Sequence, residues 1–266
     1  MNPLVIYHGG CWDGFCAAWL IHRFGGDPEA EYFPAVYGKP PPEVAGRPVM
    51  MLDFSYPRPV LEQMASEASG LVVLDHHKTA QAALEGLPYC TFDMDLSGAQ
   101  LTWNWLKRMH GDDLPEEPWM VRYTADRDLW RWELPDSKEV NAALRSYPLD
   151  FEVWNHIYRT RDAGHLVPDG RAILRAEEVT IQVHVDWARE VDFFGHQVLM
   201  VNATSLFSEI AGRLAEGRPF GVCWFEHDGL RTYSLRSREG GVDVSEIAKA
   251  HGGGGHKLAA GFEVKL

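Results

Sequence analysis

Through the first half of the chain, short apolar runs that end in small or polar residues alternate with stretches whose apolar residues recur at helical spacing. This alternation predicts an α/β fold with a parallel sheet and helices on both of its faces. Three strand ends stand out. Leu4 to Tyr7 runs into His8-Gly9-Gly10-Cys11-Trp12-Asp13-Gly14 and then the helix-like FCAAWLIHRF; Val49 to Leu52 ends at Asp53; Leu71 to Leu74 ends at Asp75-His76-His77. Ligands of open parallel sheets bind beyond the carboxyl ends of the strands, so the three polar clusters are expected to point at one crevice.

The segment from Lys39 to Pro48, rich in proline, reads as a loop, as does Gly111 to Pro118. Between them, Ser97 is placed to cap a helix running from Gln100 to Met109. Arg171 to Arg189 contains neither Gly nor Pro and predicts a helix that joins a first domain, residues 1–190 with the helix included, to a second, residues 191–266. In the second domain, strand-like runs fall at Gln197 to Val201, Gly221 to Phe225 and Leu230 to Leu235, with a helix-like Ser205 to Glu216 between the first two. A helix from Val244 to Ala250, the run Gly252 to Gly255 before His256, and a last strand over Phe262 to Val264 complete a small α/β module.

Composition narrows the class. A chain of 266 residues with 45% hydrophobic and 24% charged residues is globular, and no apolar run approaches the roughly 18 residues a bilayer span needs. The opening MNPLVIYHGG leads straight into a strand, with neither a basic region nor a small-residue cleavage site, and the expected location is the cytoplasm. Acidic residues exceed basic ones by 38 to 25, giving a formal net charge of −13, so the attraction that binds proteins to long duplex DNA is missing. Cys11, Cys16, Cys90 and Cys223 have neither disulfide-framework nor paired zinc-site spacing, and reduced thiols are expected.

Aspartate and histidine at the ends of neighbouring strands suit a divalent transition metal such as Mn²⁺, Fe²⁺, Co²⁺ or Zn²⁺ better than Ca²⁺. A single Asp is most often a cap or turn former. An Asp-His-His triplet directly after an apolar strand has no capping explanation for both imidazoles, and two further strand-end clusters make independent caps a poor joint account. The candidate ligands are His8, Asp13, Asp53, Asp75, His76 and Asp126. Asp75, His76 and His77 are expected to carry catalysis, His77 as an outer-sphere group that orients a ligand or positions phosphate. Two ions a few Å apart would activate a water and offset charge in an in-line displacement, so hydrolysis of phosphoesters follows. Near the C-terminus, the glycine run lets backbone N–H groups converge on an anion, with His256 and Arg236 as further donors; a flexible linker is the plainer alternative.

These motifs resemble the DHH phosphoesterase superfamily, in the branch with a C-terminal DHH-associated domain that includes nano-RNases and 3′-phosphoadenosine-5′-phosphate phosphatases. Asp75-His76-His77 is similar to the motif that names the family, Asp53 to the preceding aspartate motif, and Tyr123-Thr124-Ala125-Asp126 to the fourth motif. The ending SLRSREGGVDVSEIAKAHGGGGHKLAAGF is similar to the associated domain's signature. The resemblance implies a parallel-sheet DHH domain and a smaller associated domain, the six metal ligands above, and substrate contacts from Arg236, Ser237, Gly254, Gly255 and His256. It implies a Mn²⁺-dependent phosphodiesterase or phosphatase with one or two ions, Mg²⁺ or Co²⁺ being substitutes. Its substrates would be short oligonucleotides or small nucleotide phosphates. Neither a membrane nor a long duplex is expected as partner, and homodimerisation is left open.

The first motif departs from the family pattern, because Cys11 stands where an Asp is expected and His8 lies one position too close. Cys11 could ligate as a soft thiolate, or one metal could be weakened or absent. Asp128 competes with Asp126 for the fourth ligand, its plainer role being an ion pair with Arg127 or a turn contact. Trp12, Trp130 and Trp132 could stack a base, but core packing is commoner and no site role is assigned to them. Two rival functions stay open: an exopolyphosphatase or pyrophosphatase, and a nucleotide-binding sensor weakened in catalysis by the altered first motif.

Overall fold

A computed structural model describes residues 2–266 and divides into two compact units, residues 2–174 and 175–266. In chain order the first unit contains β1 (Leu4–His8), α1 (Trp12–Phe24), β2 (Glu31–Ala35), β3 (Pro48–Leu52), α2 (Arg58–Glu67), β4 (Gly70–Asp75), α3 (Lys78–Ala83) and β5 (Cys90–Phe92). There follow α4 (Gly98–His110), a single 3₁₀ turn at Gly111–Asp113, α5 (Trp119–Asp128), α6 (Ser137–Arg145) and α7 (Phe151–Thr160).

The five strands are all parallel, in the order β2-β1-β3-β4-β5. Their apolar runs are nearly continuous because both faces are covered. Leu4, Ile6, Val49, Met51 and Val73 pack on one face with Leu61 and Met64 of α2. Val5, Leu52 and Leu74 pack on the other with Phe15, Trp19 and Leu20 of α1, Trp103 and Leu106 of α4, and Trp154 of α7. From β1 the chain first goes to β2 on one side and then returns to β3 on the other. The carboxyl ends of β1 and β3 therefore diverge at a topological switch point, the place where such sheets leave a crevice. The Ser97 cap is present as a full capping box with Gln100.

α8 (Ala163–Trp187) runs across the division between the units. It starts upstream of the predicted helix and carries Pro168 inside it, at the cost of one intrahelical hydrogen bond. The second unit continues with β6 (Arg189–Phe193), β7 (His196–Asn202), α9 (Phe207–Leu214), β8 (Gly221–His227), β9 (Leu230–Arg236), α10 (Val244–Ala250), β10 (Gly254–His256) and β11 (Ala259–Lys265). Its six strands are ordered β10-β11-β9-β8-β7-β6 and are antiparallel except for β7 and β8, which α9 connects as a crossover. One face packs Val198, Val222, Leu235 and Phe262 against Val244 and Ala248 of α10. The other packs Val201 and Cys223 against Ile210, Ala211 and Leu214 of α9. Among the described residues no helix is long and apolar enough to cross a membrane.

Candidate metal centre

The carboxyl ends of β1, β3 and β4 deliver His8, Asp53 and Asp75-His76-His77 to one place, and α1 adds Asp13 from its first turn. Glycine makes the approach feasible. A Cβ on Gly14 would lie 2.6 Å from the His8 carbonyl oxygen, and one on Gly98 would lie 2.5 Å from the Asp53 Cβ and 3.0 Å from Asp13 Oδ2. Asp13 accepts from the backbone N–H groups of Gly98 and Ala99, at 2.6 and 3.1 Å, so the N-terminus of α4 faces a carboxylate that already stands at the N-terminus of α1. Asp53 continues the sheet through its N–H to Leu74 O at 2.8 Å and then takes φ 55°, a left-handed conformation that turns it out of the strand line.

Around Asp53 the ligand atoms are close. His76 Nε2 lies 3.1 Å from Asp53 Oδ1, 3.4 Å from Asp128 Oδ2 and 3.8 Å from Asp13 Oδ2, while His8 Nδ1 lies 3.4 Å from Asp53 Oδ2. Among the described residues of the first unit, three groups each place their ligand atoms within 4.8 Å of one another: His8, Cys11 and Asp53; Asp13, His76 and Asp128; and Asp53, Asp75 and His77. Asp53 is common to two of these groups and the nearest carboxylate to His76, which puts it at the centre.

The carboxylates are too deep for water to screen them, since Asp13 and Asp53 are 1% exposed and Asp75 is fully buried. Burial, with Asp53 and Asp128 close by, pushes the Asp13 carboxyl well above the usual range; burial and Asp53 also raise Asp128. Burial acts the same way on Asp53, but His76 and His8 outweigh it and hold Asp53 well below that range. For His76, burial disfavours the charge, yet the Asp53 carboxylate 3.1 Å away and the charges of Asp128 and Asp13 lift it to about 10. These are marks of a pocket whose negative charge calls for cations. Asp53 Oδ1, Asp128 Oδ2 and His8 Nδ1 are moreover buried without a hydrogen bond. Oxygen and imidazole donors, orphaned and converging, fit a divalent transition ion.

Asp75 is built differently. It accepts from Ser55 Oγ at 2.8 Å and from the His76 and His77 N–H groups at 2.7 and 3.2 Å, and it pairs with His77 Nδ1 at 2.7 Å. Against the opposing effect of burial, His77 and Ser55 keep its carboxyl low; Asp75 in turn holds His77 up at about 9 against burial. Asp75 thus fixes the ring of His77 and the backbone of both histidines.

No protein-family model matches the chain. An uncharacterised protein, R106, of Acanthamoeba polyphaga mimivirus is 28% identical over 97% of the chain, and the oligoribonuclease NrnB of Bacillus subtilis is 30% identical over 52% of it. The chain spans 66% of the length of the first and 37% of the second. Among solved structures, RecJ of Thermus thermophilus in complex with Mn²⁺ superposes with a TM-score of 0.57 at 14% identity, covering 98% of this chain and 49% of that one. A pGpG-specific phosphodiesterase, PggH of Vibrio cholerae, superposes with a TM-score of 0.53 at 13% identity over 100% of this chain and 94% of that one. Both superpositions show a shared fold, and the identity to NrnB extends over about half of the chain. The five-stranded parallel sheet and the second, mixed sheet are consistent with the DHH and DHH-associated folds.

Of the six ligands expected from the sequence, five come together: His8, Asp13, Asp53, Asp75 and His76. The sixth, Asp126, is bonded elsewhere. The Asp126 carboxylate accepts from the Glu133 and Leu134 N–H groups at 3.0 and 3.4 Å and from Ser137 Oγ at 2.5 Å. It ties down the loop after α5, in which Trp130 and Trp132 both have positive φ, at 57° and 59°. Asp128 reaches the cluster instead. The two residues lie about 200° apart around a helix, so only one of them can face the sheet ends. Neither Ser55 nor the close approach at Gly98 has a signal in the sequence, since neither residue type marks chemistry.

In the second unit, cross-strand register sets His256 opposite Ala259 and Ala259 opposite Arg236. Arg236 and His256 therefore share one face of the sheet, two strands and roughly 10 Å apart. Arg236 donates from Nη2 to Ser208 Oγ at 2.6 Å and from Nη1 to Leu235 O at 2.8 Å. Ser237 turns inward, with its hydroxyl on Pro219 O at 3.4 Å. Gly254 and Gly255 form β10, and a Cβ on Gly255 would meet Ala259 O at 2.5 Å. The glycine run is thus a packed strand and turn, not a linker.

Proposed function

We propose that the first unit holds one or two divalent ions, Mn²⁺ foremost, and hydrolyses phosphoester bonds of short oligonucleotides or small nucleotide phosphates. The observation that carries this reading is the convergence of buried, incompletely satisfied carboxylate and imidazole atoms on Asp53 at the strand ends. Asp53 would be the shared ligand, with Asp13, His76 and Asp128 on one side and His8 on the other. When bound, the ions lower the pKa of water and offset charge on phosphoryl oxygens. Asp75 keeps the His76-His77 backbone and the His77 ring in place. His77, held protonated by Asp75, offers a cationic donor to a phosphate oxygen.

The preference for small substrates rests on the net charge of −13, which disfavours a long polyanion, and on the 30% identity to an oligoribonuclease. In the second unit, Arg236 and His256 would form an anion-binding face, with Gly254 and Gly255 shaping the strand that presents His256.

Hydrolysis of pApA compared with tripolyphosphate, each with Mn²⁺, tests the reading. Turnover of pApA well above that of tripolyphosphate is expected. The reverse order would make the protein a polyphosphate hydrolase, and ion binding without turnover of either would make it a sensor.

A further inference from the structure

The carboxylate-rich and the cysteine-bearing sides of the cluster differ in donor chemistry. On one side Asp13, His76 and Asp128 present oxygen and nitrogen. On the other, His8, Cys11 and Asp53 place an imidazole nitrogen, a sulfur and a carboxylate oxygen within 4.8 Å of one another. An ion with bonds of about 2.0–2.3 Å separates its ligands by up to about 4.6 Å, so the three atoms already stand near coordinating distance. A further observation points to an occupant there: His8 Nδ1 is buried without a hydrogen bond, 3.4 Å from Oδ2 of Asp53, a residue only 1% exposed. The turn that brings Cys11 in is specific, with Gly10 at φ 72° and the Gly9 N–H bonded to Ala35 O at 2.7 Å, next to the end of β2.

We propose that the His8–Cys11–Asp53 position binds a thiophilic divalent ion, of the Zn²⁺, Co²⁺ or Fe²⁺ type, through a Cys11 thiolate, and so differs in metal preference from the Asp13–His76–Asp128 position. This rests on the proposed metal centre and adds a selectivity to it. Thiolate ligands favour borderline-soft ions, whereas Mn²⁺ and Mg²⁺ favour oxygen, so the replacement of a hard donor by sulfur moves one of two adjacent positions along the affinity series. Binding releases the thiol proton to solvent as the sulfur–metal bond forms, one proton per ion. The other thiols stand apart, since Cys16, Cys90 and Cys223 enter none of the candidate ligand groups among the described residues.

The test is titration of the metal-stripped full chain with Co²⁺, followed by absorption. The expected result is a near-ultraviolet thiolate-to-cobalt charge-transfer band that saturates at one ion per chain, disappears in Cys11→Ser and Cys11→Asp, and persists in Cys16→Ser and Cys90→Ser. Cys11→Asp should still bind ions, with its competition between Zn²⁺ and Mn²⁺ shifted towards Mn²⁺ by at least tenfold. Circular dichroism of each variant confirms that it is folded. No band, no Co²⁺ uptake, or a band that survives in folded Cys11→Ser would overturn the proposal. Failure of the hydrolytic reading looks different, because the band would form normally in a protein that cleaves no phosphoester.

Discussion

At the strand ends of the first unit, Asp13, Asp53 and Asp75 are almost wholly buried, whereas in the second unit Gly254, Gly255 and His256 are half-buried on a strand at the edge of its sheet. The first region is made of buried carboxylates set against imidazoles. The second is made of backbone brought so close that only glycine fits: a Cβ on Gly253 would fall 2.1 Å from Gly261 O. One region is organised by electrostatics and the other by sterics, so mutations should break them in different ways, in chemistry and ion uptake for the first and in substrate affinity for the second.

The largest effect is expected from Asp53→Asn. Removing the carboxylate shared by the ligand groups should lower turnover by several orders of magnitude and reduce bound metal, measured by emission spectroscopy alongside hydrolysis of bis(p-nitrophenyl) phosphate. Near wild-type turnover in a folded, metal-replete variant would contradict the centre. A sharper division comes next, from two aspartates two positions apart. Asp128→Ala should cost activity and metal with little change in stability. Asp126→Ala should instead destabilise the fold by about 1–3 kcal/mol, because Glu133, Leu134 and Ser137 lose their acceptor, and urea denaturation would show it.

That pair also marks where sequence reading stops. The strands β1, β3 and β4 were legible because their residues are apolar on both faces and end abruptly in Asp or His. Ser97 with Gln100 was legible because a capping box is a local signal. β2 was not, since it carries Pro34 and exposed residues at a sheet edge, where burial imposes no pattern. The aspartate motif in α5 was visible, but which carboxylate turns to the cluster depends on how α5 rotates against α1 and α4, a tertiary fact. Asp126 has the motif position, and its oxygens are taken by the loop.

Smaller effects should separate the second region from the first. Arg236→Ala and His256→Ala should each weaken substrate binding by about 1.5–3 kcal/mol, the range of a charged hydrogen bond, read as a rise in KM of about tenfold or more with metal content unchanged. Loss of metal in either folded variant would erase the division of labour. The smallest effect is in pH. In the presence of a chelator, His76 and His77, raised from 6.5 to about 10 and about 9, contribute stability that is complete below about pH 6.5 and is lost as pH rises through 9 to 10. The urea midpoint of the metal-stripped chain should therefore fall over that window, and His77→Gln should flatten the fall. A midpoint that rises would reverse the assignment of charge.

The residues gathered around Asp53 run from His8 to Asp128 and belong to three strand ends and two helices. An ion bound among them is a removable cross-link closing loops of very different lengths, and a ligand at a hundredfold over its dissociation constant adds about 2.7 kcal/mol to the folded state. The same pocket would then govern how long the chain survives a protease: scarce metal would loosen α5 from the sheet, expose the loop around Trp130, and turn a shortage of ions into shortened lifetime of the protein.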